Sequence, residues 1–185
     1  LLLGTDPEKI FATTNNLLTN TNELQKIKEI NYSFDANVSL KIVDLIKKIK
    51  NGFSCGRDVT IHSTAEVSSD AKLGENVKVW HLVQVREGVT IGDNCIFGKN
   101  VYVDKDVVIG KNCKVQNNSS IYHGSVLEDG VFIGPHCVLT NDKNPRAVDV
   151  GGSLKSDSDW KEEKVILKEG ASLGARVVVL PGVTV

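Results

Sequence analysis

Two polar side chains, His123 and Asn141, lie eighteen residues apart and are the strongest candidates for chemistry in this chain. An imidazole accepts a proton near neutral pH, and a carboxamide both donates and accepts hydrogen bonds. Together they could take a proton from a nucleophile and hold that nucleophile in line, as general base catalysis requires. They can do so only if the fold places them side by side.

A six-residue repeat predicts such a fold. Every sixth residue from Cys55 to Leu139 is apolar, and after a break in frame the repeat resumes from Leu167 to Val185. Four positions after each of these residues stands a second, smaller one, such as Ala65. A hydrophobic period of six belongs neither to an ordinary strand nor to a helix, and it is typical of hexapeptide-repeat β-helices.

The predicted fold class is therefore all-β, a parallel β-helix over residues 55–185. Its left hand is taken from the hexapeptide-repeat helices that this repeat resembles. Three hexads make one triangular coil, so residues eighteen apart should stack on adjacent coils about 4.8 Å apart. One outward column then holds Glu87, Lys105, His123 and Asn141, and a second holds His81, Lys99, Asn117 and Pro135.

The repeat is interrupted after Asn141, which predicts an excursion loop over residues 142–166. Long loops that leave a rigid scaffold are often functional. The chain ends at Val185 as a new hexad opens, so we expect the β-helix to be truncated at its C-terminus.

Residues 1–54 lack the repeat and are predicted to form a separate N-terminal segment with one amphipathic helix over 38–50. The apolar face of this helix comprises Ile42, Leu45, Ile46 and Ile49. The segment resembles the C-terminal end of glucose-fructose-oxidoreductase-like dehydrogenases, which makes it a candidate remnant of a fused domain.

Composition argues against several classes of partner. The net charge is −1 and no basic run is present, so neither nucleic acid nor a membrane surface is expected to bind. All four cysteines occupy core phases of the repeat, which predicts buried free thiols and a cytoplasmic location. The histidines do not form the close pair found in zinc-dependent carbonic anhydrases of hexapeptide type, so no metal is predicted.

The outward residues carry a family resemblance. Its motifs are Val79-Trp80-His81, Gln116 to Tyr122, Leu127 to Pro135, Thr140-Asn141, Asn144 to Arg146 and Gly170 to Ala175. In this order they resemble the hexapeptide-repeat sugar-nucleotide N-acetyltransferases of surface-polysaccharide synthesis. The most similar type acetylates the 3-amino group of UDP-2-acetamido-3-amino-2,3-dideoxyglucuronate.

The resemblance implies a homotrimer that uses acetyl-CoA as acyl donor, bound in the cleft between adjacent prisms. It assigns contacts with the nucleotide sugar to four residues, which are Gln116, Asn117, Tyr122 and Arg146. It implies that Asn141 orients the acceptor amine and that backbone N–H groups near Gly174 and Ala175 meet the cofactor.

His123 departs from the family pattern, which commonly has an acidic residue at this position. Either it is a general base or sugar ligand beside Asn141, or it is an ordinary surface histidine. Two further functions stay open: acylation of another acceptor (a dTDP-linked amino sugar, a serine or a free sugar), and a non-catalytic trimeric scaffold.

Overall fold

A computed structural model describes residues 54–156 and 158–185 of the chain. These residues form eighteen two-residue strands, which make three parallel six-stranded sheets. The all-β left-handed parallel β-helix of hexapeptide repeats predicted from the sequence is confirmed. The predicted N-terminal helix lies outside the described residues.

Each sheet takes every third strand of the chain. The first sheet comprises β1 Ser54–Cys55, β4 Lys72–Leu73, β7 Thr90–Ile91, β10 Val108–Ile109, β13 Val126–Leu127 and β16 Ile166–Leu167. The second comprises β2 Thr60–Ile61, β5 Lys78–Val79, β8 Ile96–Phe97, β11 Lys114–Val115, β14 Phe132–Ile133 and β17 Ser172–Leu173. The third comprises β3 Glu66–Val67, β6 Gln84–Val85, β9 Tyr102–Val103, β12 Ser120–Ile121, β15 Val138–Leu139 and β18 Val178–Val179.

Register follows the hexad frame. Ile121 pairs with Leu139, eighteen residues on, whereas Leu139 pairs with Val179, forty residues on, because the excursion intervenes. The second residue of each strand points into the prism, and Phe97 and Ile133 are fully buried there. Burial of one such side chain contributes about 1.5–3 kcal/mol.

The small second column fills the corners of the prism. Three of its members are the buried free thiols Cys95, Cys113 and Cys137. The Cys137 thiol donates to the Gly174 carbonyl at 2.9 Å. The prediction of buried cysteines is wrong for Cys55, which is exposed because it lies on β1, the first described strand, with a neighbouring strand on one side only.

The outer corner positions adopt left-handed backbone. Ten non-glycine residues there have φ between 56° and 60°, and most of them are Asn or Asp, which tolerate this region best. The Asn76 amide donates to Asn94 at 3.2 Å, and the Asn94 amide donates to Asn112 at 3.1 Å. These ladders join successive coils along the edge of the prism.

Between β15 and β16 the chain leaves the repeat in an excursion. Asp142 and Glu162 form an antiparallel bridge at its base, and Val148 and Leu154 form a second bridge farther out. The repeat resumes at β16. Over the described residues, no helix is long and apolar enough to cross a membrane.

Replacing Ile133 by Ala should lower the free energy of unfolding by about 2–5 kcal/mol, because it removes a fully buried side chain from a closely packed interior. Val108→Ala is the matched control, because Val108 is 46% exposed, and it should cost less than about 1 kcal/mol. Urea unfolding followed by circular dichroism measures both. Equal losses would contradict the assigned core.

Candidate functional site

A buried carboxylate organises the outer face of the third sheet. Asp104, just after β9, is only 8% exposed. Its Oδ1 accepts hydrogen bonds from the Tyr102 hydroxyl at 2.9 Å, the Lys105 backbone N–H at 2.8 Å and Arg86 Nη1 at 3.2 Å. A buried carboxylate needs such partners, and the Arg86 guanidinium supplies the opposite charge.

The same carboxylate holds the backbone of the next coil. Asp104 Oδ2 accepts the backbone N–H of His123 at 3.3 Å. Burial is the largest cause that raises the pKa of the Tyr102 phenol, and the hydrogen bond to Asp104 acts in the same direction, against Arg86. Tyr102 therefore remains a hydroxyl donor at neutral pH and helps to fix Asp104 beneath His123.

The His123 ring lies between two carboxylates. Its Nδ1 is 2.7 Å from Oε1 of Glu162, which returns from the excursion, and its Nε2 is 3.4 Å from Oδ2 of Asp106. The His123 side chain is 26% exposed, whereas Asp106 is 64% exposed on the solvent side. The ring is thus held between the two carboxylates, with Glu162 at Nδ1 on the less exposed side and Asp106 at Nε2 on the more exposed side.

Asn141 is placed as predicted, one coil from His123, because β12 and β15 pair in register. Its backbone carbonyl accepts the N–H of Glu163 at 3.1 Å, so the base of the excursion is attached beside it. Tyr122 is 39% exposed on the same face, and its ring meets that of Tyr102 edge-on with centroids 5.8 Å apart. We call His123 and Asn141 the histidine edge.

The other predicted residues lie at the opposite edge of the third sheet. Gln116 and Asn117 form the turn before β12, whereas His123 follows that strand. Gly174 and Ala175 stack with them, because β11, β14 and β17 pair in register. We call these four residues the glutamine edge. Within one protomer, the predicted sugar contacts are thus divided between two edges.

Asn117 has a structural task. Its Oδ1 accepts the backbone N–H of Lys99 at 2.9 Å and so joins two coils. Gly98 allows this approach, because a Cβ at that position would collide with the Asn117 oxygen. The amide nitrogen of Asn117 takes no part in this contact and could donate to a ligand.

The excursion carries Arg146 and a small cleft. Arg146 is exposed, and its Nη1 donates to the carbonyl of Pro145 at 3.2 Å. A cleft of about 300 Å³ is lined by Asp142, Asn144 and Trp160, among others. Among the described residues, no group of three His, Cys, Asp or Glu side chains is arranged to hold a metal ion.

Sequence reasoning missed Asp104, Asp106 and Glu162. Asp104 has a signal in the repeat, because Arg86 precedes it by eighteen residues in its outward column. Asp106 also has a signal in the repeat. It lies eighteen residues before Gly124, the residue that follows His123, and therefore one coil from it. Glu162 has no such signal, because its place depends on the path of the excursion.

Comparison with known proteins gives a partial family match and several distant structures. The model of the GMPPB C-terminal domain matches residues 55–141, which is 87 of the 185 residues. No curated protein matches the sequence significantly.

Several solved structures are similar to this chain at low identity. A mutant of perosamine N-acetyltransferase from Caulobacter crescentus, in complex with CoA and GDP-perosamine, is 24% identical over 90% of this chain and 67% of its own, with a TM-score of 0.42. PerB from the same organism, with the same ligands, is 26% identical over 90% and 68%, with a TM-score of 0.33. A hexapeptide transferase family protein from Anaplasma phagocytophilum is 16% identical over 70% and 76%, with a TM-score of 0.39. Because these TM-scores are low, the likeness assigns no residue role to this chain.

Asp104→Asn should lower the free energy of unfolding by about 1–3 kcal/mol. It removes the charge facing Arg86 and leaves one of the hydrogen-bond donors around the Asp104 carboxylate without an acceptor. The same change at the exposed Asp106 should cost less than about 0.5 kcal/mol. Urea unfolding distinguishes the two variants. A Asp104→Asn protein as stable as Asp106→Asn would contradict the organising role of Asp104.

Proposed function

We propose that this protein is an acetyl-CoA-dependent N-acetyltransferase that acts on a UDP-linked 3-amino sugar in the synthesis of a surface-polysaccharide precursor. The observation that carries the proposal is the oriented His123 ring beside Asn141 at the histidine edge. The motif resemblance at the outward positions supports the substrate class.

The reaction requires little covalent chemistry from the protein. The sugar amine attacks the thioester carbonyl, a C–N bond forms, the C–S bond breaks, and the CoA thiolate leaves. The amine loses one proton, which His123 Nε2 accepts on the exposed side of the ring and passes to the thiolate or to water. A positioned base of this kind contributes about 10²–10⁴-fold to the rate.

Asn141 is proposed to orient the amine. It lies one coil from His123, about 4.8 Å along the prism, so one small acceptor group can contact both side chains. Holding the amine and the thioester in line accounts for much of the catalysis that such a site can provide. Tyr122 offers an exposed aromatic face to the sugar on the same side.

The division into two edges supports the proposed homotrimer. One hexapyranose ring is too small to reach both edges of the third sheet in a single protomer. If the glutamine edge of one copy faces the histidine edge of the next, the cofactor and sugar contacts meet in one cleft. Backbone N–H groups near Gly174 and Ala175 would then stabilise the carbonyl oxygen as charge develops.

Arg146 is the proposed partner for the negative charge of the nucleotide sugar. It is exposed, and its Nη1 hydrogen-bonds only the adjoining Pro145 carbonyl in the described part of the chain. A guanidinium binds a carboxylate or a pyrophosphate in a bidentate manner. The excursion would thus bring a cation to the substrate beside the histidine edge.

A thiol-release assay with acetyl-CoA tests the reaction class. We expect release that depends on a UDP-linked 3-amino sugar and is weaker with dTDP-linked amino sugars, serine or free sugars. Release that is strongest with one of the other acceptors would replace the substrate assignment. No release with any acceptor, from a protein that light scattering shows to be trimeric, would favour the scaffold.

Exchanging His123 for Asn should lower kcat by about 10²-fold or more, because the proton acceptor is lost. The matched control is His62→Asn, three coils from Gln116 along the prism, where the ring stacks on His81, and it should stay within about twofold of the wild type. Asn141→Ala should lower kcat/KM by about tenfold through loss of orientation. Unchanged turnover in the His123 and Asn141 variants, with trimers intact, would contradict the proposed site.

A further inference from the structure

From the contact between Glu162 and His123 we infer that Glu162 is a positioning residue, which fixes the tautomer and the direction of the His123 ring. This inference deepens the proposed function and rests on it, because a base is needed only if an acceptor amine or hydroxyl is acylated. The excursion would thus supply a component of the active site that the repeat alone lacks.

The geometry of the contact sets the tautomer. Oε1 of Glu162 lies 2.7 Å from Nδ1 of His123, and this oxygen is shielded from solvent with no well-aligned hydrogen-bond donor. The contact with His123 Nδ1 is thus a close electrostatic one rather than an aligned hydrogen bond. A carboxylate at Nδ1 favours the Nδ1–H form, which leaves the lone pair on Nε2 to accept a proton.

The backbone is built to accommodate this carboxylate. Gly124, next to His123, has a φ of +79°, and a Cβ there would collide with Oε1 of Glu162. The Glu162 backbone is fixed by its bridge to Asp142, and the N–H of Glu163 binds the Asn141 carbonyl. Both ends of the contact are thus held by the scaffold rather than by flexible loop.

The charged groups around the ring define its electrostatics. Glu162 faces Nδ1, Asp106 faces Nε2 at 3.4 Å, and Asp104 accepts the His123 backbone N–H. The stem of Lys164 passes beside Gly124. Of the two carboxylates that face the ring, Glu162 is the less exposed, at 29% against 64% for Asp106, so its charge is the less screened by water.

Glu162→Gln keeps the size of the side chain and removes its charge. We expect kcat to fall at least about tenfold with KM nearly unchanged, because a misdirected ring impairs proton transfer but not binding. Adding Glu162→Gln to His123→Asn should cause little further loss, because Glu162 acts through the ring.

Glu163→Gln is the matched control, with the same change one residue along, where the side chain pairs with Lys143 at 3.8 Å. It should keep both the wild-type kcat and the wild-type KM. A Glu162→Gln enzyme that matches Glu163→Gln in both would overturn the inference even though the proposed function stands.

A second measurement does not depend on activity. In ¹⁵N-histidine-labelled full-length protein, the ring signals of His123 are identified by their loss in His123→Asn. We expect the wild-type ring to show the Nδ1–H tautomer at neutral pH, and Glu162→Gln to shift it toward the Nε2–H form. If no acetylation is found with any amine, this shift still supports the positioning contact, whereas an unchanged tautomer overturns it.

Discussion

Stacking of each coil on the next is the interaction on which the rest of this structure depends. Parallel hydrogen bonds and the inward aliphatic columns fix each strand residue over its partner in the next coil, which is eighteen positions away before the excursion. This constraint places Asn141 over His123 without any direct bond between their side chains. It also makes the outer faces of the prism a rigid template, on which functional residues require no loop to position them.

The excursion interrupts this rigid template, and it contributes a side chain to the surroundings of His123. Between β15 and β18 the pairing distance along the chain rises from eighteen to forty residues. The returning segment carries Glu162 to the inner side of the His123 ring, while Asp104 holds the backbone of the ring from the coil below. His123 thus combines support from the repeat with support from the excursion.

The fold was largely predictable from sequence because the hexad phase directly reports which side chains point inward. The same arithmetic placed His123 and Asn141 on adjacent coils. The hexad arithmetic also implies that Gln116 and His123 lie at different edges, because six to seven residues span one face of the prism. Two contacts cannot be read from the hexad phase and are seen only in the structure. They are the contact between Glu162 and the His123 ring and the hydrogen bond by which the Asn117 oxygen joins two coils.

Two physical reasons explain what sequence reasoning missed. The path of a loop without a repeat cannot be derived from its sequence. The contact between Glu162 and His123 therefore could not be predicted. A buried acid such as Asp104 is recognisable only when its donors are known, and those donors come from three different parts of the chain, Arg86, Tyr102 and the His123 backbone.

The central claim is that an amide bond forms at the histidine edge. The most direct measurement supplies acetyl-CoA labelled with ¹³C at the carbonyl, together with a UDP-linked 3-amino sugar, and follows the carbonyl resonance by NMR. The proposed function predicts that an amide signal coupled to the sugar N–H replaces the thioester signal. The rate of this replacement should depend on His123. Persistence of the thioester, or transfer to an oxygen with no amide formed, would contradict it.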